Sequence, residues 1–128
     1  MARYKLIALT NPVQGRETDF NRWYDEFHLP ETCAVPGVIG GQRYRRVGTP
    51  KPDGDNPRYE YFVIYDVETD DPGRTLALLQ EHIETGRIGR NPELMAQPAW
   101  TAMFVQLEPG ESGSDPQNKS FDLYRDQH

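Results

Sequence analysis

Phe20-Asn-Arg-Trp-Tyr-Asp-Glu-Phe-His-Leu-Pro-Glu-Thr-Cys-Ala-Val-Pro-Gly37 is the stretch on which the reading of this chain turns. Phe20, Trp23, Tyr24 and Phe27 recur at three- and four-residue steps, the spacing that stacks side chains on one face of a helix. His28 follows Tyr24 by one helical turn, at the edge of that aromatic face. Leu29-Pro30 predicts the end of the helix, because a residue before proline is pushed out of helical geometry. A helix from Glu17 to Phe27 is therefore expected, with Thr18 or Asp19 near its start as cap and Glu31 to Pro36 as connector. Such a helix carries an ionisable imidazole to the rim of an apolar surface, and the rest of the chain reads as its scaffold.

Upstream, Tyr4 to Thr10 alternates Tyr4, Leu6 and Ala8 against Lys5, Ile7 and Leu9, a strand with both faces covered. Downstream, Gly37 to Val47 reads as a second strand, with Val38, Gln42 and Tyr44 opposite Ile39, Arg43 and Arg45. Gly40-Gly41 inside it predicts a bulge or a close approach to the backbone. Gly48 to Pro57 has loop composition. Tyr59 to Val67 is the clearest strand, with Tyr59, Tyr61, Val63, Tyr65 and Val67 on one face. Asp71-Pro72 opens a second helix that buries Leu76, Leu79 and Ile83 and stops at Gly86. Arg87 to Pro98 is irregular, with a short turn around Pro92 to Ala96. Trp100 to Leu107 is the last strand, Trp100, Ala102 and Phe104 alternating with Thr101, Met103, Val105 and Leu107.

The order β-α-β-β-α-β predicts an α+β fold of the ferredoxin-like kind: a four-stranded antiparallel sheet with both helices on one face. Residues 1–108 form this domain. Residues 109–128, rich in Pro, Gly, Ser and Asp, read as an extended C-terminal tail whose Ser120 to Tyr124 segment can dock on the same or a partner subunit. Three strands are apolar or aromatic on both faces, so the bare side of the sheet predicts an interface. A symmetric homodimer with sheets face to face would cover it.

Composition narrows the function. The 128 residues carry 14 basic and 20 acidic groups, a formal charge of −6 that argues against nucleic acid or an anionic membrane as partner. No apolar run approaches the ~20 residues of a membrane helix, and the N-terminus has no signal-peptide pattern. Cys33 is the single cysteine, consistent with a reducing cytoplasmic location. Apolar residues make up 36% and aromatics 11%, so aromatic rings must supply much of the core.

The motif Phe20-Asn-Arg-Trp-Tyr-Asp-Glu-Phe-His-Leu-Pro-Glu, followed by Val35-Pro-Gly-Val and Arg43-Tyr-Arg, resembles the EthD-like branch of the dimeric α+β barrel superfamily. The likeness runs in element order over residues 3 to 108, with its specific motif in residues 20 to 45. It implies a dimer with a small apolar pocket between helices and sheet in each subunit, and His28 as a pocket residue. The superfamily includes cofactor-free monooxygenases, cyclases, isomerases and haem-related enzymes. The loop from Lys51 to Asn56 and the tail from Pro109 have no counterpart in the pattern.

His28 titrates near ~6.5 unperturbed and can act as base or acid at neutral pH; as a cap it would instead complement the helix dipole. Tyr24 and Tyr61 are the catalytic phenols expected beside it, donating to a developing oxyanion. Phe20, Trp23, Phe27, Tyr65, Trp100 and Met103 are the expected substrate walls. Arg43 and Arg45 read as cross-strand ion pairs with Glu60 or Asp66. Glu26, His28 and Glu31 match no metal-site spacing, His82 reads as structural or solvent-facing, and Cys33 lacks an activating neighbour. No phosphate loop and no serine-nucleophile elbow is present.

Three functions follow. One is an enzyme without a dedicated cofactor, moving a proton on a small aromatic, polyketide-like or lactone compound by isomerisation, cyclisation, elimination or cofactor-free oxygenation. A second is a non-catalytic small-molecule-binding or structural homodimer. A third, weaker one is a haem-binding member with His28 as axial ligand.

Overall fold

The computed structural model describes residues 2–48 and 59–110. The expected loop around Lys51 to Asn56 and the tail from residue 111 onward, with its Ser120 to Tyr124 segment, lie outside the described residues. The elements are β1 (Ala2–Pro12), α1 (Glu17–Trp23), a π turn (Tyr24–His28), α2 (Leu29–Cys33), β2 (Val38–Arg45), β3 (Tyr61–Thr69), α3 (Pro72–Glu84) and β4 (Met95–Val105). The strands form one antiparallel sheet in the order β2-β3-β1-β4, the ferredoxin-like arrangement.

Alternation along the strands decides which face meets the helices. Tyr4, Leu6 and Ala8 of β1 and Tyr61, Val63, Tyr65 and Val67 of β3 are buried, and they share one core with Phe20, Tyr24, Leu76, Leu79 and Ile83 from the helices. Asp71 caps α3 by accepting from the Arg74 amide at 3.0 Å, Pro72 opens the helix, and Gly86 ends it in the left-handed region at φ +82°. The opposite face carries registered rows. Tyr44, Phe62, Leu9 and Trp100 form one, and Gln42, Ile64, Ile7 and Ala102 the next. Trp100 and Phe104 are 44% and 48% exposed there, on a face that no helix covers.

The first helix departs from the expectation. It does not stop before Pro30; α1, the π turn and α2 run without a break from Glu17 to Cys33. The Leu29 amide bonds back to Tyr24, five residues earlier, so this turn is wider than an α turn. Pro30 falls immediately after the widened turn, in the second position of α2. There the missing N–H and the bulk of the ring are accommodated early in a new helical register rather than in the interior of an old one.

Strand β2 also departs. Its pairing with β3 shifts between Val38 and Gly40, the bulge that the double glycine announces. The extra residue reverses the alternation beyond it, so Arg43 lies opposite Val63 on the helix side, together with Val38 rather than opposed to it. Arg43 therefore does not pair with Glu60 or Asp66. Its partner is Asp25 at 2.9 Å, while Arg46 approaches Glu60 and Lys5 pairs with Asp66.

Candidate functional site

The π turn builds the site. In an α-helix Trp23 and Tyr24 could not both face His28, but the five-residue turn brings the imidazole between them. Ring centroids lie 4.8 Å from Trp23 and 4.7 Å from Tyr24. Each such contact contributes about 1 kcal/mol beyond area burial, enough to hold the imidazole in one rotamer. Behind Tyr24, the Arg43 guanidinium sits 4.5 Å from the ring centroid and bonds to the Asn21 carbonyl, the Asn21 side chain and Asp25.

His28 is 3% exposed. Its Nδ1 lies 3.0 Å from the Gly89 carbonyl, so Nδ1 carries the proton it donates. That leaves Nε2 as the lone-pair nitrogen of the neutral ring. Burial lowers the pKa from 6.5 to about 4; the Gly89 bond raises it somewhat, and the Arg43 charge adds to the lowering. At neutral pH His28 is an uncharged imidazole of one defined tautomer.

His28 lines a cavity with Tyr24, Thr32, Tyr65 and Thr101 as its other polar members, closed by Leu6, Ala8, Leu79, Ile83 and Ile88. Its volume, about 20 Å³, is room for one water molecule. The Tyr65 hydroxyl is near enough to Thr32 and Tyr24 to feel them, yet stands in hydrogen-bond geometry with neither; burial pushes its pKa up to about 12. Thr101 Oγ1 is likewise buried without a partner. An apolar chamber is thus lined by a neutral imidazole and by two hydroxyls without a hydrogen-bond partner. Buried polar groups are nearly always satisfied, so these point to something that the chamber receives.

Of the residues expected from sequence, the cavity gathers His28, Tyr24 and Tyr65. Trp23 stacks on the imidazole from the side. Phe20 is fully buried core and Met103 packs against that core on the helix side of β4; neither lines the cavity. Phe27 is 53% exposed, because the widened turn rotates it outward. Trp100 stands on the far face of the sheet, paired with Leu9, while its neighbour Thr101 points to the helices. Tyr61 lies away from the cavity: its hydroxyl donates to Glu17 and accepts from Asn21, and burial raises its pKa. Of the strand tyrosines it is therefore Tyr65, two same-face positions further along β3, that joins Tyr24 and His28 at the cavity.

Thr32, Thr101, Ile88 and Gly89 are site residues that the sequence reading passed over. Thr101 carried a signal, a hydroxyl on the strand face that otherwise shows Met103 and Val105. His82 is buried rather than solvent-facing, its Nε2 held 3.3 Å from Arg87. Among the described residues no group of three His, Cys, Asp or Glu side chains converges on a common point. No helix of the described residues is long and apolar enough to cross a membrane.

No protein-family model matches the chain, and no curated protein matches it. Solved structures do. A candidate antibiotic biosynthesis monooxygenase from Bordetella bronchiseptica is 19% identical with a TM-score of 0.59, covering 84% of this chain and 100% of its own. An ethyl tert-butyl ether D (EthD) family protein from Bacillus halodurans is 19% identical with a TM-score of 0.54, covering 82% and 99%. A dimeric ferredoxin-like protein of unknown function from Thermobifida fusca is 14% identical with a TM-score of 0.56, covering 82% and 92%. The chain has the ferredoxin-like α+β fold, which it shares with these structures, an EthD-family protein among them.

Proposed function

We propose that this protein is a cytoplasmic homodimeric enzyme that moves a proton on a small, uncharged aromatic or carbonyl compound, with His28 as the base. The observation that carries the proposal is a buried imidazole, bonded through Nδ1 to Gly89, that lines a chamber with two unpartnered hydroxyls. The names of the structural neighbours, an EthD-family protein and a candidate monooxygenase, agree with small-molecule chemistry on this fold.

The chemistry follows from the electrostatics. An imidazole with a pKa of about 4 is fully in its basic form at neutral pH, yet an isolated imidazolium there is disfavoured by burial. Proton abstraction from a bound neutral substrate creates imidazolium and substrate anion together, a pair with no net charge, so much of that penalty is removed at the moment of reaction. The Tyr65 phenol, neutral well past physiological pH, and the Thr101 hydroxyl can donate to the oxygen on which the negative charge collects. Tyr24 and Trp23 hold the imidazole, and Leu6, Leu79, Ile83 and Ile88 exclude water. Isomerisation, cyclisation and elimination need no more than this, and an electron-rich anion formed in the same way is the species that adds oxygen in cofactor-free oxygenation.

The test is deuterium exchange at acidic C–H positions across a panel of small diketones, lactones and phenols. The wild type should accelerate exchange for at least one class, and His28→Asn should lower the rate by 10²-fold or more, in the range typical of a positioned base. Thr101→Val should reduce it less, by about tenfold, while leaving folding stability unchanged or higher, because the hydroxyl has no partner to lose. Equal exchange by wild type and His28→Asn would leave a binding or structural dimer as the better description.

A further inference from the structure

We infer that Glu31 is a positioning residue that sets the tautomer of His28 through Gly89, an inference that rests on the base assignment above. The Gly89 amide donates to Glu31 Oε1 at 2.9 Å, and the Gly89 carbonyl accepts from His28 Nδ1 at 3.0 Å. Glu31 is three residues after His28, so the two side chains leave the same helical face as two prongs of a clip. The segment they grip joins α3 to β4, about 60 residues away in sequence. Ile88, beside Gly89, is one wall of the chamber, and its own amide bonds to the His82 carbonyl at 3.0 Å.

The two bonds fall on consecutive peptide planes joined at the Gly89 α-carbon. Glycine is the residue least able to fix the angle between two planes by itself. The Glu31 bond orients the plane before Gly89 and the His28 bond engages the plane after it, so together they specify the glycine's conformation. Without Glu31, the Gly89 carbonyl is free to turn from Nδ1. The imidazole then has no reason to keep its proton on Nδ1, and the form with Nε2 protonated has no lone pair to offer the chamber.

The experiment is nitrogen-15 NMR of the histidine side chains in the full chain, for wild type, Glu31→Ala, Glu31→Asp and Glu31→Gln. At neutral pH the wild type should show His28 as a single tautomer protonated on Nδ1. Glu31→Ala should show a mixture of tautomers. Glu31→Asp, whose carboxylate falls short of the amide by one methylene, should do the same and serves if the alanine variant does not fold. Glu31→Gln retains an accepting oxygen and should restore the wild-type pattern. Where an exchange substrate is found, Glu31→Ala should lower kcat by about tenfold or more with a smaller change in KM, as when an orienting partner is removed from a ligating histidine.

A single Nδ1-protonated tautomer in both Glu31→Ala and Glu31→Asp would overturn the inference whatever the activity. A tautomer mixture in Glu31→Ala with undiminished exchange activity would uphold Glu31 as positioning residue and overturn His28 as base. The two failures are therefore distinguishable.

Discussion

Lowering the pH from 7.5 to 4 should destabilise this protein through one residue more than any other. Above its ordinary value of 6.5, His28 is neutral whether the chain is folded or not, and contributes nothing to pH dependence. As the pH falls below 6.5 the unfolded chain takes up a proton at this position, whereas the folded protein, with His28 lowered to about 4, does not. Protons bound to the unfolded state favour unfolding, so stability falls through this window and levels off below about 4. At 1.36 kcal/mol per pH unit, the interval between the two values amounts to about 3 kcal/mol. That is a large part of the 5–15 kcal/mol over which natural domains are stable. The assay is urea unfolding at fixed protein concentration across this pH range, for wild type and His28→Gln. Exposed carboxylates add their own pH dependence to both, so the difference between the two curves isolates His28. It should grow to about 3 kcal/mol between pH 6.5 and 4. Parallel curves would show that His28 titrates equally in both states, and the neutral-base assignment would fall with that result.

Two further outcomes follow from packing. A β-carbon at Gly41 would come within 2.7 Å of the Tyr65 ring, itself 2% exposed, so Gly41→Ala should cost about 1–3 kcal/mol in urea unfolding and displace the Tyr65 hydroxyl, with loss of exchange activity. Trp100→Lys with Phe104→Lys should leave secondary structure by circular dichroism intact while shifting sedimentation from dimer to monomer; a dimer that survives both changes is not built on this face.

The fold was legible because its signals are local and repeated. Alternation in β1 and β3, the Asp71-Pro72 start and Gly86 stop of α3, and the double glycine of β2 each correspond to one backbone requirement that few residues satisfy. The site was legible only in part, for an identifiable reason at each miss. Pro30 usually ends a helix, and no local pattern announces the wide turn that lets this helix continue through it. That turn alone carries Phe27 outward and sets Trp23 beside His28. The bulge at Gly40 was readable, but its effect, moving Arg43 to the helix side, requires counting residues across it. Tyr61 and Tyr65 share a strand face and cannot be ranked from sequence, since the choice depends on how far along β3 the imidazole arrives. Gly89 and Glu31 meet across 58 residues, a separation at which no spacing rule operates.

Strand β4 has an evolutionary consequence that extends beyond its packing. Thr101 serves the chamber, while Trp100 and Ala102 on either side of it belong to the far face of the sheet. A one-residue insertion or deletion ahead of this stretch would exchange every assignment at once, presenting an indole to the chamber and a hydroxyl to the opposite side. Point substitutions here can diversify specificity and assembly independently, one residue at a time, whereas changes in length are punished twice. Homologues should therefore show more substitutions than indels along Ala99 to Val105.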